Sequence, residues 1–237
     1  IMYLKKKILA VIPARGGSTE VKKKNLRRIN GKSLVEIVCN LAKQINYLDE
    51  IVLSTDDREI QKIGKKFKII YEDLRPKKLS TNNAAAIDVW RYEWLRCEKK
   101  TNQIFDYSIY IEPTSPLRKK KHLQETIKKI VKNKYSAVWT VSKTDPRNHP
   151  FKKLRINNSG LVNYYDLKGK KIVARQQLDE LYERNGLCYA ASRDTVIKKK
   201  SLSGNKCFGL VCKGNFVSID SQFDLKLARI LSNEKKN

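Results

Sequence analysis

The run Ile8-Leu9-Ala10-Val11-Ile12, closed by Pro13 and leading straight into the basic, glycine-bearing segment from Ala14 to Asn25, constrains the fold of this chain most. Consecutive apolar residues without polar alternation predict a strand covered on both faces, as in a parallel sheet. From Leu34 the period changes. Leu34, Val38, Leu41 and Ile45 recur at helical spacing, which predicts an amphipathic helix. The strand, loop and helix then repeat. Ile51 to Ser54 reads as the next strand, Thr55 to Asp57 as a turn or cap, and Ile60, Ile63 and Phe67 mark the following helix. Lys68 to Tyr71 reads as a short third strand. Ile87, Trp90, Trp94 and Leu95 share the apolar face of a helix from about Ala84 to Lys99, which makes the tryptophans core residues. Tyr107 to Ile111 is a fourth strand, Leu123, Ile127, Ile130 and Val131 define another helix, and Ala137 to Val141 continues the sheet.

Alternation of this kind predicts an α/β fold with a doubly wound, mainly parallel sheet and helices on both faces. At 237 residues and 41% hydrophobic content, the chain can bury such a core as a single domain over 1–237. Between Thr144 and Gly186 the pattern weakens around Asp145, Pro146, Asn157, Asn158, Gly160 and Gly169, so about 144–186 reads as a small inserted lobe with a hairpin. Leu187 to Ala191 and Phe216 to Ile219 return to strand, and Phe223, Leu227, Ile230 and Leu231 close the chain with a helix.

Composition removes several function classes. No stretch approaches the ~18 uninterrupted apolar residues of a membrane span, and Met2 to Lys7 lacks the apolar core of a secretory signal, so a cytoplasmic protein is expected. Five cysteines, odd in number and without a Cys-x-x-Cys pair, and two distant histidines indicate neither a disulfide framework nor a zinc site. The net charge of +27 raises nucleic acid as a partner. The lysines, however, are spread along the whole chain and not gathered with stacking aromatics, which predicts non-specific polyanion attraction and no specific nucleic-acid site.

In a doubly wound sheet, ligands bind beyond the carboxyl ends of the strands. The segment after the first strand is Ala14-Arg15-Gly16-Gly17-Ser18-Thr19-Glu20-Val21-Lys22-Lys23-Lys24-Asn25. Its glycines let backbone N–H groups approach phosphate, and Arg15 and Lys24 can neutralise the charge. It matches neither the P-loop nor the dinucleotide-binding glycine pattern, so alone it says only phosphate. Further segments follow in order: Arg75-Pro76-Lys77-Lys78-Leu79-Ser80, Glu112-Pro113-Thr114-Ser115-Pro116-Leu117-Arg118, Arg175-Gln176-Gln177 with Asn185-Gly186, and Ile219-Asp220-Ser221-Gln222-Phe223-Asp224. On residue type alone, Arg75 and Arg118 are binding groups or surface arginines, and Asp220 is a ligand or the cap of the last helix.

The ordered set resembles the N-acylneuraminate cytidylyltransferases, or CMP-sialic acid synthetases, from about Ile8 to Ile230. The resemblance implies a transfer in which the anomeric hydroxyl of a sialic-acid-like nonulosonic acid, N-acylneuraminate or a relative such as legionaminate, attacks the α-phosphate of CTP and pyrophosphate leaves. It implies that Arg15, Gly16, Gly17, Ser18 and Lys24 hold the triphosphate, with Asn25 and Arg75 around the nucleotide. It implies that Glu112, Arg175, Gln176 and Asn185 face the sugar, that Asp220 carries Mg²⁺, and that Arg15, Lys24 and Asp220 are the catalytic set. A homodimer joined through the lobe is also implied.

The chain departs from the family pattern at named places. Ser18-Thr19-Glu20 stands where Ser-Lys-Gly is usual, Ser218 replaces the first aspartate of an Asp-x-Asp pair, and Glu112 replaces a glutamine. Glu112 is therefore expected to supply the missing acidic metal ligand. Ala85 and Ala86 replace hydroxyl residues, and Glu183-Arg184 replaces Arg-Pro. Two other readings stay open: a nucleotidyltransferase of the same fold with another sugar or base, and a degenerate, non-catalytic nucleotide- or polyanion-binding protein.

Overall fold

A computed structural model of the chain describes residues 3–69 and 71–234. The chain divides into two compact units, Val141–Arg184 and the described residues on either side of that segment. In chain order the elements are β1 (Ile8–Pro13), a small hairpin of β2 (Arg28–Ile29) and β3 (Lys32–Ser33), α1 (Leu34–Lys43), β4 (Glu50–Ser54), α2 (Arg58–Phe67), α3 (Ala86–Thr101), β5 (Tyr107–Tyr110), α4 (Lys120–Asn133), β6 (Ala137–Lys143), β7 (Leu154–Ile156), β8 (Val162–Tyr164), β9 (Tyr182–Ser192), β10 (Cys207–Val211) and α5 (Gln222–Glu234). Short 3-10 and π turns connect several of them.

The central sheet has six strands in the order β10-β6-β9-β5-β1-β4. The apolar run that opens the chain becomes β1, parallel to both β4 and β5, while β9 runs antiparallel to β5. Its side chains divide by parity. Ile8, Ala10 and Ile12 pack with Val35 and Val38 of α1 and Leu123 and Ile127 of α4, whereas Leu9 and Val11 pack with Trp90 and Trp94 of α3. Helices on both faces are thus what the unbroken apolar run requires, since either face left wet would expose side chains worth roughly 1.5–3 kcal/mol each.

Local signals start and stop the helices. Ser33 caps α1, its hydroxyl accepting from Glu36 N at 3.3 Å while the Glu36 carboxylate accepts from Ser33 N at 2.7 Å. Asp57 Oδ1 accepts from Glu59 N and Ile60 N at the start of α2, and Lys68, left-handed at φ 55°, ends it.

That left-handed turn is why no strand forms across the described residues of 68–71: Ile69 N donates back to Gly64 O of α2 at 3.1 Å while its carbonyl accepts from Leu53 N at 2.7 Å, and Ile70 lies outside the described residues. Phe216 to Ile219 also forms no strand. Val217 and Ile219 alternate inward, but into a third cluster with Val21, Ile29, Leu34, Leu117 and α5 residues Leu225 and Ala228, and not beside a sheet edge. Ile219 N donates to Thr114 O at 2.8 Å. This cluster ties the glycine loop, the Thr114–Leu117 segment and the start of α5 into one wall.

The second unit, Val141–Arg184, carries the β7–β8 hairpin, with Leu154 opposite Tyr164 and Ile156 opposite Val162. Asn157 Oδ1 accepts from Ser159 N and Leu161 N to shape the turn, and Gly160 supplies its positive φ of 80°.

Candidate active site

Beyond the ends of β1 and β5, the first unit opens a cleft of about 380 Å³. Pro13 and Tyr110 end those strands at its edge; Arg15, Ser18, Lys24 and Asn25 line it from the glycine loop, Arg75 from the loop after α2, and Glu112, Ser218 and Asp220 from the opposite side. The strand ends therefore gather residues that lie up to about two hundred positions apart in sequence, at the place where open α/β sheets bind ligands.

The glycine loop is held by its backbone. Ala14 N donates to Ser54 O at 2.8 Å, extending the β1–β4 pairing by one step, and Gly16 N donates to Asp56 Oδ1 at 2.9 Å. A Cβ at Gly16 would sit 2.5 Å from Asp57 Oδ2 and 2.7 Å from Asp57 Cβ, so this residue is glycine for close approach; at Gly17 a Cβ would meet nothing within 4 Å. Asn25, buried, donates from Nδ2 to Arg15 O at 2.9 Å, and its Oδ1 has no protein partner. Lys24 Nζ lies 2.9 Å from Asp220 Oδ1, with side-chain exposures of 18% and 76%.

The unusual Thr19 and Glu20 are exposed and do not line the cleft; neither do Lys22 and Lys23, the latter paired with Glu59 at 2.5 Å. Glu20 therefore adds no negative charge to the cleft wall. Its cations are Arg15, Lys24 and Arg75.

Arg75 and Arg118 are both interior, which corrects the surface reading for each. Arg75 donates from Nε to Ser80 Oγ at 3.1 Å and from Nη1 to Ser54 Oγ at 3.3 Å, and burial lowers its pKa. Arg118 does not line the cleft but clamps its rim. Its guanidinium donates to the carbonyls of Glu112 (2.7 Å), Gly186 (3.0 Å) and Leu187, joining the end of β5 to β9, and burial pushes its pKa down to about 10.

The alternative of Asp220 as helix cap is also corrected. Ser221 caps α5, with its Oγ accepting from Asp224 N at 3.2 Å, while the Asp224 carboxylate accepts from Asp220 N and from Ser221 N and Oγ at 2.7–3.0 Å. Burial pushes the Asp224 pKa up, but these hydrogen bonds outweigh it and the net shift is downward. The box frees the Asp220 side chain for the cleft.

Asn185 lies in the first unit, half-buried, with Oδ1 accepting from Leu187 N at 3.2 Å, and is not among the cleft-lining residues. Gly186 beside it has φ 67° and sits against Ser115 Oγ. Arg175 and Gln176 lie on the exposed turn Arg175–Gln177 of the second unit. Sequence reasoning missed Thr81, Asn82 and Tyr110 in the cleft lining and Ser54 behind it. Ser54 had no signal beyond its place at a strand end. Among the described residues no cluster of three or more His, Cys, Asp or Glu side chains could by itself hold a metal ion, and no helix is long and apolar enough to cross a membrane.

A family model described as cytidylyltransferase matches residues 9–211. The chain is 28% identical to pseudaminic acid cytidylyltransferase of Campylobacter jejuni, over 95% of this chain and 96% of that one. It is 30% identical to CMP-N,N'-diacetyllegionaminic acid synthase of Legionella pneumophila, over 90% of each. A solved structure of CMP:2-keto-3-deoxy-manno-octonic acid synthetase complexed with CTP superposes with a TM-score of 0.68 at 16% identity, covering 97% of this chain and 99% of that one, which is a likeness of fold.

Proposed function

The chain belongs to the cytidylyltransferase family, and from that premise we propose that it forms a CMP-sugar and pyrophosphate from CTP and a sialic-acid-like nonulosonic acid. The observation that carries this is the meeting of Arg15, Lys24 and Arg75 with Glu112 and Asp220 around one cleft at the strand ends. In the reaction the anomeric hydroxyl gives up its proton to solvent as its oxygen bonds to the α-phosphorus, the bond from that phosphorus to the bridging oxygen breaks, and pyrophosphate leaves with the electron pair. Little covalent work falls to the protein, so positioning and charge neutralisation dominate.

Arg15, Ser18 and Lys24 hold the triphosphate, with the backbone of Gly17 between them, while Gly16 N–H stays on Asp56 and fixes the loop. Asn25 and Arg75 surround the nucleotide. Lys24 and Asp220 form a pair that is largely open to water on the carboxylate side, and such pairs contribute no more than about 1 kcal/mol, so Lys24 can exchange its partner for phosphate at little cost. Within the first unit, Glu112 and Asn185 recognise the sugar acid.

Two carboxylates on one cleft are too few for an all-protein metal cage, but they suit Mg²⁺, which is commonly held by one or two carboxylates together with substrate phosphates and water. Asp220 and Glu112 would hold it, Glu112 standing in for the aspartate that Ser218 replaces. When bound, the ion would supply positive charge against the charge developing on the phosphate oxygens.

The second unit supports a homodimer: Ile156, Leu161, Val162, Leu167 and Val173 are all more than half exposed, Ile156 at 71% and Val173 at 91%. The five cysteines are free thiols, which fits a reducing cytoplasm where CTP is at hand. Pyrophosphate release from CTP, measured against a panel of nonulosonic acids and against the other nucleoside triphosphates, tests the proposal. Release specific to CTP with at least one such acid is expected; no turnover with any acid would overturn it.

A further inference from the structure

Behind the cleft wall lies a charged side chain that the reaction as described does not use. Glu93 on α3 is 0% exposed and sits one turn after Val89, which lines the cleft. Its Oε1 accepts from Ser54 Oγ at 2.8 Å and, more weakly, from Arg96 Nη1 at 3.5 Å; its Oε2 is buried without a hydrogen-bond partner. A buried carboxylate with one oxygen unmatched is expensive to keep, and Trp90, Trp94 and Cys97 around it show that this face of the helix is otherwise apolar. A packing role alone would be served better by an apolar residue.

The hydrogen-bond chemistry sets a direction. A hydroxyl has one proton, and Ser54 gives its proton to Glu93, so towards Arg75 it can only accept. The chain therefore runs from Arg75 Nη1–H to Ser54 Oγ and from Ser54 Oγ–H to Glu93 Oε1. Ser80 Oγ takes Arg75 Nε, and Nη2 makes no hydrogen bond among the described residues although Arg75 lines the cleft. The guanidinium is thus pinned on two nitrogens and open on the third.

We propose that Glu93 is a positioning residue for nucleotide binding, holding Arg75 through Ser54 so that Nη2 is presented to the bound nucleotide. This rests on the reading of the cleft as a CTP site. Burial disfavours the charge on both groups; Arg96 is the nearer counter-charge of Glu93, and Glu93 joins Asp56 in favouring the charged form of Arg75. Ser54 is the coupling element, since it stands between the two charges.

The test is a double-mutant cycle on CTP binding, by calorimetric titration of CTP onto the wild-type chain, Glu93→Gln, Arg75→Ala and the pair. Glu93→Gln should weaken CTP roughly tenfold when Arg75 is present and less than about twofold when it is absent. Its thermal midpoint should fall, because Arg75 is left buried without this counter-charge, and in steady state the KM for CTP should rise with kcat nearly unchanged. Ser54→Ala, which cuts the link but leaves both charges, should lose CTP affinity in the same way and keeps the test open if Glu93→Gln folds poorly. Equal losses in both backgrounds would make Glu93 structural and overturn the relay while CTP binding by the wild type stands. A wild-type chain that does not bind CTP would overturn the functional reading, and the relay with it.

Discussion

At the scale of single residues, the glycine loop holds two neighbours with opposite tolerances. Gly16→Ala drives a Cβ into Asp57 and should destabilise the fold by about 1–3 kcal/mol and weaken CTP binding, whereas Gly17→Ala, with open space around it, should shift stability by less than about 0.5 kcal/mol. Urea unfolding of the two variants beside CTP titration checks the pair. The same loop was legible as a phosphate cradle from its composition, but which glycine is indispensable was not, because the clash comes from Asp57 on another element. The carboxylates allow a second prediction. If Glu112 completes the metal site with Asp220, then Glu112→Gln should raise the Mg²⁺ concentration needed for half-maximal pyrophosphate release about tenfold or more, as Asp220→Asn should. An unchanged Mg²⁺ titration for Glu112→Gln would remove Glu112 from the metal site and leave it facing the sugar.

At the scale of elements, the start of α5 decides where Asp220 points. Ser221→Ala removes the cap and should cost about 1 kcal/mol of stability, together with a fall in turnover, because Ser221 Oγ no longer holds the Asp224 carboxylate to which Asp220 N donates. Asp224 has a depressed pKa in the folded chain. Its stabilisation is therefore fully present above the ordinary aspartate pKa of about 3.9 and is lost as the pH falls through the lower folded value. Urea midpoints of the wild type and Asp224→Asn should accordingly converge in strong acid and separate at neutral pH. Helices with a clean apolar period were readable in advance, and α1, α2, α4 and α5 stand where that period places them. Short extended segments were not. The described residues of 68–71 and Phe216 to Ile219 carry strand-like residues, yet in the first the left-handed turn at Lys68 and in the second the packing against Val21 and α5 keep a ladder from forming, and no local pattern encodes either.

At the scale of the whole molecule, charge and exposed apolar surface make separate predictions. The chain should sediment at twice its 27.5 kDa mass, and Ile156→Glu on the β7–β8 hairpin should return it to the monomer without unfolding it. A wild-type chain that sediments at its monomer mass would refute the dimer. The +27 charge should give weak retention on any nucleic acid, falling steeply between low and physiological salt and indifferent to sequence. Sequence-selective retention would contradict the reading of the lysines as a solvated surface.

The sequence by itself determined the α/β alternation, the glycine loop and the family, because an unbroken apolar run, a helical period and an ordered set of motifs are local properties of the chain. Only the tertiary structure decided that Arg118 is a buried clamp and not a surface charge, that Ser221 and not Asp220 caps the last helix, and that Glu93 lies behind Arg75. Each of those outcomes depends on hydrogen-bond partners supplied by distant segments. Burial and pairing arise when the strands bring those segments together, and residue type alone cannot choose between a charge in water and the same charge locked in a wall.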